Sequence, residues 1–94
     1  GLTVATWGTT GSITATWTKP TATNLSEKAR MVVVMVDKTA NVAVAADALL
    51  SAETINVPMQ GTSGNKIDCY YYIIDYRGSS RVGSISQYTS GTPA

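Results

Sequence analysis

The sequence contains no histidine and only one cysteine, Cys69. Histidine is the commonest general base and metal ligand in proteins, so its absence excludes a Ser-His-Asp or Cys-His catalytic site within this chain. A single cysteine excludes an internal disulfide. Cys69 lies in the middle of a predicted strand, and we expect it to be a small buried apolar residue.

Clustered charges and long apolar runs are also missing. Lys and Arg occur singly and the formal net charge is +1, so we predict no nucleic-acid partner. The longest apolar runs, residues 31–36 and 69–74, are too short to cross a bilayer, so we predict no direct membrane insertion.

The six carboxylates are dispersed. They form neither a calcium loop nor a catalytic pair, and we expect each to be solvated or in a weak surface ion pair. These dispersed carboxylates are the only residues that favour an enzyme. We therefore predict a protein that is not an enzyme and has no catalytic residues, metal site or cofactor.

The residues that are abundant favour β-structure. Phe is absent and Leu is scarce, whereas Thr and Ser together make up roughly a quarter of the chain. Ile13, Ala15 and Trp17 alternate with threonines, which is the period of a strand with one buried face. Turn residues separate seven predicted strands: 1–7, 12–18, 29–36, 42–46, 53–57, 66–76 and 81–88.

This spacing predicts one all-β domain over residues 1–94, a seven-stranded antiparallel β-sandwich. Residues 29–36 are apolar on both faces and predict a central strand covered on both sides. Residues 47–52 predict a short turn or 3₁₀ segment, and residues 89–94 a frayed tail or linker. The expected core consists of Ile13, Trp17, Met31, Val33, Ile55, Val57, Ile67, Tyr71 and Ile73.

The pattern Ile13-x-Ala15-x-Trp17-x-x-Pro20 resembles the second strand of fibronectin type III-like domains, a branch of the immunoglobulin-like sandwiches. The alternating strand at 69–74 and the Ser-rich strand at 82–86 resemble later strands of that family. Antibody-type domains fit less well because their paired cysteines are missing. Residues 82–88 are also similar to the final strand of a Bacteroidetes family of unknown function.

The fibronectin-like resemblance implies a non-catalytic binding, adhesion or spacer module that is extracellular, on the cell surface or periplasmic. Arg77-Gly78 is followed by Ser79, so the Arg-Gly-Asp adhesion tripeptide of some members is absent. The sequence starts at Gly1, and no segment within it has the pattern of a signal peptide. We therefore expect it to be a mature chain or part of a larger multidomain protein.

Tyrosines provide the one candidate binding site. If Ile67, Cys69 and Tyr71 face the core, then Tyr70, Tyr72 and Tyr76 line the outer face of the sheet. Such a stripe could bind a glycan by stacking, as in a carbohydrate-binding module, or anchor a protein partner. Alternatively, neighbouring side chains or another domain cover it, or one tyrosine hydroxyl is tied to nearby backbone as a tyrosine corner.

Overall fold

Two antiparallel sheets make up the computed structural model, which describes residues 2–6, 13–19, 27–59, 64–77, 80–83 and 87–92. Within these ranges the strands are β1 (Leu2–Thr6), β2 (Ile13–Trp17), β3 (Arg30–Asp37), β4 (Val42–Leu49), β5 (Thr54–Val57), β6 (Ile67–Arg77), β7 (Ser80–Gly83) and β8 (Gln87–Gly91). A 3₁₀ turn, Leu50–Ala52, joins β4 to β5. The all-β prediction is therefore confirmed. No helix in the described ranges is long and apolar enough to cross a bilayer.

The strand order separates the chain into a three-stranded and a five-stranded sheet. The first has the order β1-β2-β5. In the second, β3 lies between β4 and β6, and both β7 and β8 pair with the far edge of β6. β8 pairs along Ile67–Tyr71 and β7 along Ile74–Arg77.

The core lies between the two sheets and follows from alternation along the strands. In β3 the burial alternates strictly, with Met31, Val33 and Met35 buried and the residues between them half-buried. The expected core is confirmed: seven of its members are buried in a single cluster, against which Tyr71 and Ile73 pack partly buried. β3 is central, as predicted, but its second face is only half-covered.

β4 is longer than the sequence predicted. The expected strand ended at residue 46, but pairing with β3 continues without interruption to Leu49, opposite Arg30. The extension follows the pairing with β3, in which residues 47–49 are opposite residues 30–32, and an ion pair between Arg30 and Asp47 joins the two strands there. The 3₁₀ prediction is correct for Leu50–Ala52.

The last predicted strand is two strands in different registers. β7 continues the hairpin from β6, with Arg77 opposite Ser80 and Ile74 opposite Gly83. If the pairing of β6 with β7 continued one residue at a time along both strands, Tyr88 would be opposite Cys69. The structure instead pairs Tyr88 with Tyr70, a shift of one residue. The predicted frayed tail is wrong for residues 89–91, which belong to β8.

Trp17 links the two sheets through its indole ring. The ring is buried, and its Nε1–H donates a hydrogen bond of 2.8 Å to the carbonyl oxygen of Leu50. The backbone N–H of Leu50 in turn donates to the carbonyl of Ala29 at 2.8 Å. Trp17 therefore holds the 3₁₀ turn at the point where the chain passes from the five-stranded to the three-stranded sheet.

Replacing Trp17 by Phe should lower the free energy of unfolding by about 2 kcal/mol or more, because the Leu50 carbonyl loses its donor inside the protein. Urea denaturation followed by circular dichroism measures the change. Thr18→Ala, at the neighbouring exposed position, serves as the control and should stay within about 0.5 kcal/mol of the wild type. An equal decrease in the free energy of unfolding of the two variants would contradict this role for the indole.

Candidate binding site

The outer face of the five-stranded sheet is largely apolar. In an antiparallel pair, opposite residues point to the same face. Val34 is opposite both Ala45 of β4 and Tyr70 of β6, and Tyr70 is opposite Tyr88 of β8. These four residues form a row across the sheet, which we call the tyrosine row. Apolar patches of this kind, open to solvent, are typical of interaction sites.

Tyr70 and Tyr88 form the exposed end of the tyrosine row. Tyr70 is 37% and Tyr88 is 51% exposed. Their ring centroids are 5.3 Å apart and the ring planes are inclined by 49°. This tilted geometry is a favourable aromatic contact, and it presents two ring faces at different angles rather than one flat platform.

A charged cluster adjoins the two rings. The hydroxyl of Tyr88 donates a 2.6 Å hydrogen bond to Oδ1 of Asp68. The ammonium groups of Lys38 and Lys66 lie 3.3 Å from Oδ2 and 3.8 Å from Oδ1 of the same carboxylate. Asp68 is buried although it points outward, because these neighbours cover it. The two lysine side chains remain mostly exposed.

The contacts within this cluster favour the ionised form of Asp68 and the protonated form of Lys66. The hydrogen bond from Tyr88, followed by the hydrogen bond and charge of Lys38, lowers the pKa of Asp68 below its ordinary value. The hydrogen bond with Tyr88 is the largest cause that raises the pKa of Lys66, and the charge of Asp68 adds to it. At neutral pH two ammonium groups therefore share one carboxylate, which leaves the edge of the tyrosine row positively charged.

Three carboxylates are buried, contrary to the expectation of solvated or weakly paired groups: Asp37, Asp68 and Asp75. Asp37 accepts hydrogen bonds from the backbone N–H of Ala40 at 2.9 Å and from the amide of Asn65 at 3.1 Å. These contacts, with Ala40 the larger cause, lower the pKa of Asp37. Asp37 thus fixes the β3–β4 turn, in which Asn41 adopts a left-handed conformation with φ of 59°.

The predicted stripe is only partly present as an exposed surface. Tyr70 is exposed, but Tyr72 is half-buried opposite Val32, and the side chain of Tyr76 lies outside the described part of the structure. The aromatic partner of Tyr70 is Tyr88, which the sequence analysis missed. The one-residue shift between β7 and β8 brings Tyr88 to the outer face, and alternation along a single strand gives no sign of it.

Cys69 takes no part in this surface. It is free and fully buried on the core face, as expected, and burial raises the pKa of its thiol to about 11. Among the described residues, no group of three His, Cys, Asp or Glu side chains could hold a metal ion.

Comparison of the chain with protein-family models, curated proteins and solved structures found no match to any of them.

Replacing Tyr88 by Phe should raise the pKa of Asp68 towards its ordinary value, because the ring stays but the hydroxyl donor is lost. A lowered folded-state pKa adds stability that is present above the unfolded pKa of 3.8 and is lost as the pH falls through the folded pKa. The variant should therefore be less stable at neutral pH and lose less stability on acidification. Carboxyl ¹³C titration and urea denaturation at several pH values measure both effects.

Asn65→Ala is the matched control for this experiment, because it removes a donor from Asp37 instead. It should raise the pKa of Asp37 and leave that of Asp68 unchanged. An Asp68 pKa that is the same in the wild type and in Tyr88→Phe would contradict the role given to the Tyr88 hydroxyl.

Proposed function

We propose that this chain is a non-catalytic binding module of a secreted or cell-surface protein, built as a fibronectin type III-like sandwich. Its partner, a protein or a glycan, binds the outer face of the five-stranded sheet. One observation carries the proposal: the exposed Tyr70–Tyr88 pair at the end of an apolar row.

The strand order supports the proposed sandwich type. In the constant-type immunoglobulin domain, the first, second and fifth strands share one sheet, and the third, sixth and seventh share the other. The same division is present here. The fourth strand differs, because β4 pairs with β3 rather than with β5. Together with the missing cysteine pair, this difference favours the fibronectin type III-like over the antibody-type sandwich.

The surroundings of the two tyrosines support a binding role over a spacer role. Tyrosine combines a large apolar ring with a hydroxyl, loses little conformational entropy on binding, and is enriched at interaction hot spots. Along the same face the alternate side chains of β3, Val32, Val34 and Val36, are half-buried rather than covered by a further layer. A spacer domain gains nothing from an uncovered apolar face, whereas such faces are typical of interaction sites.

The proposed location outside the cell rests on the resemblance to fibronectin type III-like domains, as does the proposal of a larger multidomain parent. The likeness of residues 82–88 to a Bacteroidetes family stays a prediction.

A carbohydrate-binding module is the second candidate function. Exposed tyrosine rings can stack on the apolar faces of sugars, and the exposed rings of Tyr70 and Tyr88 are available for this. Their inclination of 49° suits two sugar units set at an angle rather than a flat crystalline polysaccharide. In this version Tyr70 and Tyr88 provide the stacking, and Tyr72 lies two residues beyond Tyr70 along β6.

For a protein partner, the immobilised domain can be tested by biolayer interferometry against purified mucin, collagen and fibrinogen. Tyr70→Ala should weaken any specific response about tenfold, because it removes the exposed aromatic anchor. Thr54→Ala, at an exposed position of the other sheet, is the control and should bind as the wild type does. A response equally reduced by both variants would contradict binding through the outer face.

For a glycan partner, ¹⁵N chemical-shift titration with soluble neutral and acidic oligosaccharides should move resonances around Tyr70 and Tyr88. Tyr88→Phe keeps the ring and should retain binding, whereas Tyr88→Ala should weaken it about tenfold. A spectrum unchanged across the panel would remove the carbohydrate candidate. If mucin, collagen and fibrinogen also gave no response, the spacer role would be favoured.

A further inference from the structure

The free edge of β4 is long, regular and almost uncharged. Eight residues pair with β3 without a register break, and no described strand pairs with the other side of β4. The strand contains no Pro, Gly or Lys. Its one charged residue, Asp47, is already paired with Arg30. An edge of this kind presents unpaired backbone donors and acceptors that another strand can use.

The other sheet edges in the described ranges are protected in ways that β4 is not. β5 has four residues and is followed by Pro58. β1 carries a register irregularity between Val4 and Thr6. The far edge of the five-stranded sheet is divided between the short strands β7 and β8. Short, bulged and interrupted edges resist pairing with other chains, so β4 is the one described edge that favours it.

Exposed apolar side chains lie at both ends of β4. Val42 is 45% and Leu49 is 42% exposed, and alanines occupy most positions between them. A strand that pairs along β4 would cover part of the apolar surface that Val42 or Leu49 exposes.

We propose that β4 pairs antiparallel with β4 of a second copy of this chain, which joins the two five-stranded sheets edge to edge. Residues opposite each other must share a face, and the two registers with the longest overlap each leave one terminal residue unpaired. In the first register Ala45 meets its own copy and Asp47 meets Ala43. In the second register Ala46 meets its own copy and Asp47 meets Ala45.

Both registers keep the two Asp47 carboxylates apart, so the edge is electrostatically compatible with itself. Each copy carries one β4, so the pairing is two-fold symmetric and closes at a dimer. The outer faces of the two sheets, including their tyrosine rows, then form one continuous surface. This inference does not depend on what the tyrosine row binds.

Sedimentation equilibrium over a wide concentration range tests the pairing. The wild-type mass should rise from 9.9 kDa towards that of a dimer and no further. Ala45→Glu places like charges opposite each other in either register. In the first register the two substituted side chains face each other, and in the second each of them faces the carboxylate of Asp47. The substitution should therefore weaken dimerisation at least about fivefold.

Gln87→Glu is the matched control. It adds the same charge on β8 at the opposite edge of the sheet, so both variants lower the net charge by one unit. It should dimerise as the wild type does. Circular dichroism and thermal melting verify that all variants are folded. A further test needs no variant. In the wild type, the backbone amides of β4 should exchange hydrogen more slowly at high than at low protein concentration.

Ala45→Lys distinguishes the two registers. It should weaken the dimer if Ala45 meets its own copy, and strengthen it if Ala45 meets Asp47. A wild-type chain that stays monomeric up to about 1 mM would overturn the proposal. So would assemblies larger than a dimer, or the same effect from Ala45→Glu and Gln87→Glu.

Discussion

The indole N–H of Trp17 donates to the carbonyl of Leu50 at the place where the chain crosses from one sheet to the other. Around this bond, the backbone N–H of Trp17 donates to the carbonyl of Glu53, and Leu50 donates to Ala29. The start of β3, the end of β2 and the 3₁₀ turn are therefore joined at one buried point. The separation of β4 from β5, and with it the division into two sheets, depends on this junction.

Once the sheets are joined, the five-stranded sheet can use only one of its faces for folding. Its inner side chains, such as Val33 and Cys69, fill the core and are fully buried. Its outer side chains keep an apolar character without a covering layer in the described part of the chain. The carboxylate of Asp68 and its lysine partners border this outer face. Folding and the proposed binding thus use opposite sides of the same strands.

Much of this arrangement is readable from the sequence, because alternation along one strand is a local property. The alternation of Ile13, Ala15 and Trp17 with threonine identifies β2 and its inner face, and the same pattern in β6 places Tyr70 outside. What depends on neighbouring strands is not readable in this way. The burial of Asp68 requires Tyr88 of β8 and Lys38 of the β3–β4 turn. The extension of β4 to Leu49 requires eight partners on β3.

Because the registers of β7 and β8 differ by one residue, the number of residues between these two strands decides which side chains of β8 face outward. Suppose that one further residue were inserted between the two strands and that β8 still paired with the same residues of β6. Gln87 would then be opposite Tyr70, and Gln87 and Thr89 would face outward instead of Tyr88 and Ser90. The aromatic contact with Tyr70 and the hydroxyl on Asp68 would disappear together, although no amino acid had been substituted. An insertion between residues 83 and 87 would therefore alter the proposed binding surface at several positions at once, while β6 and its core residues remained the same.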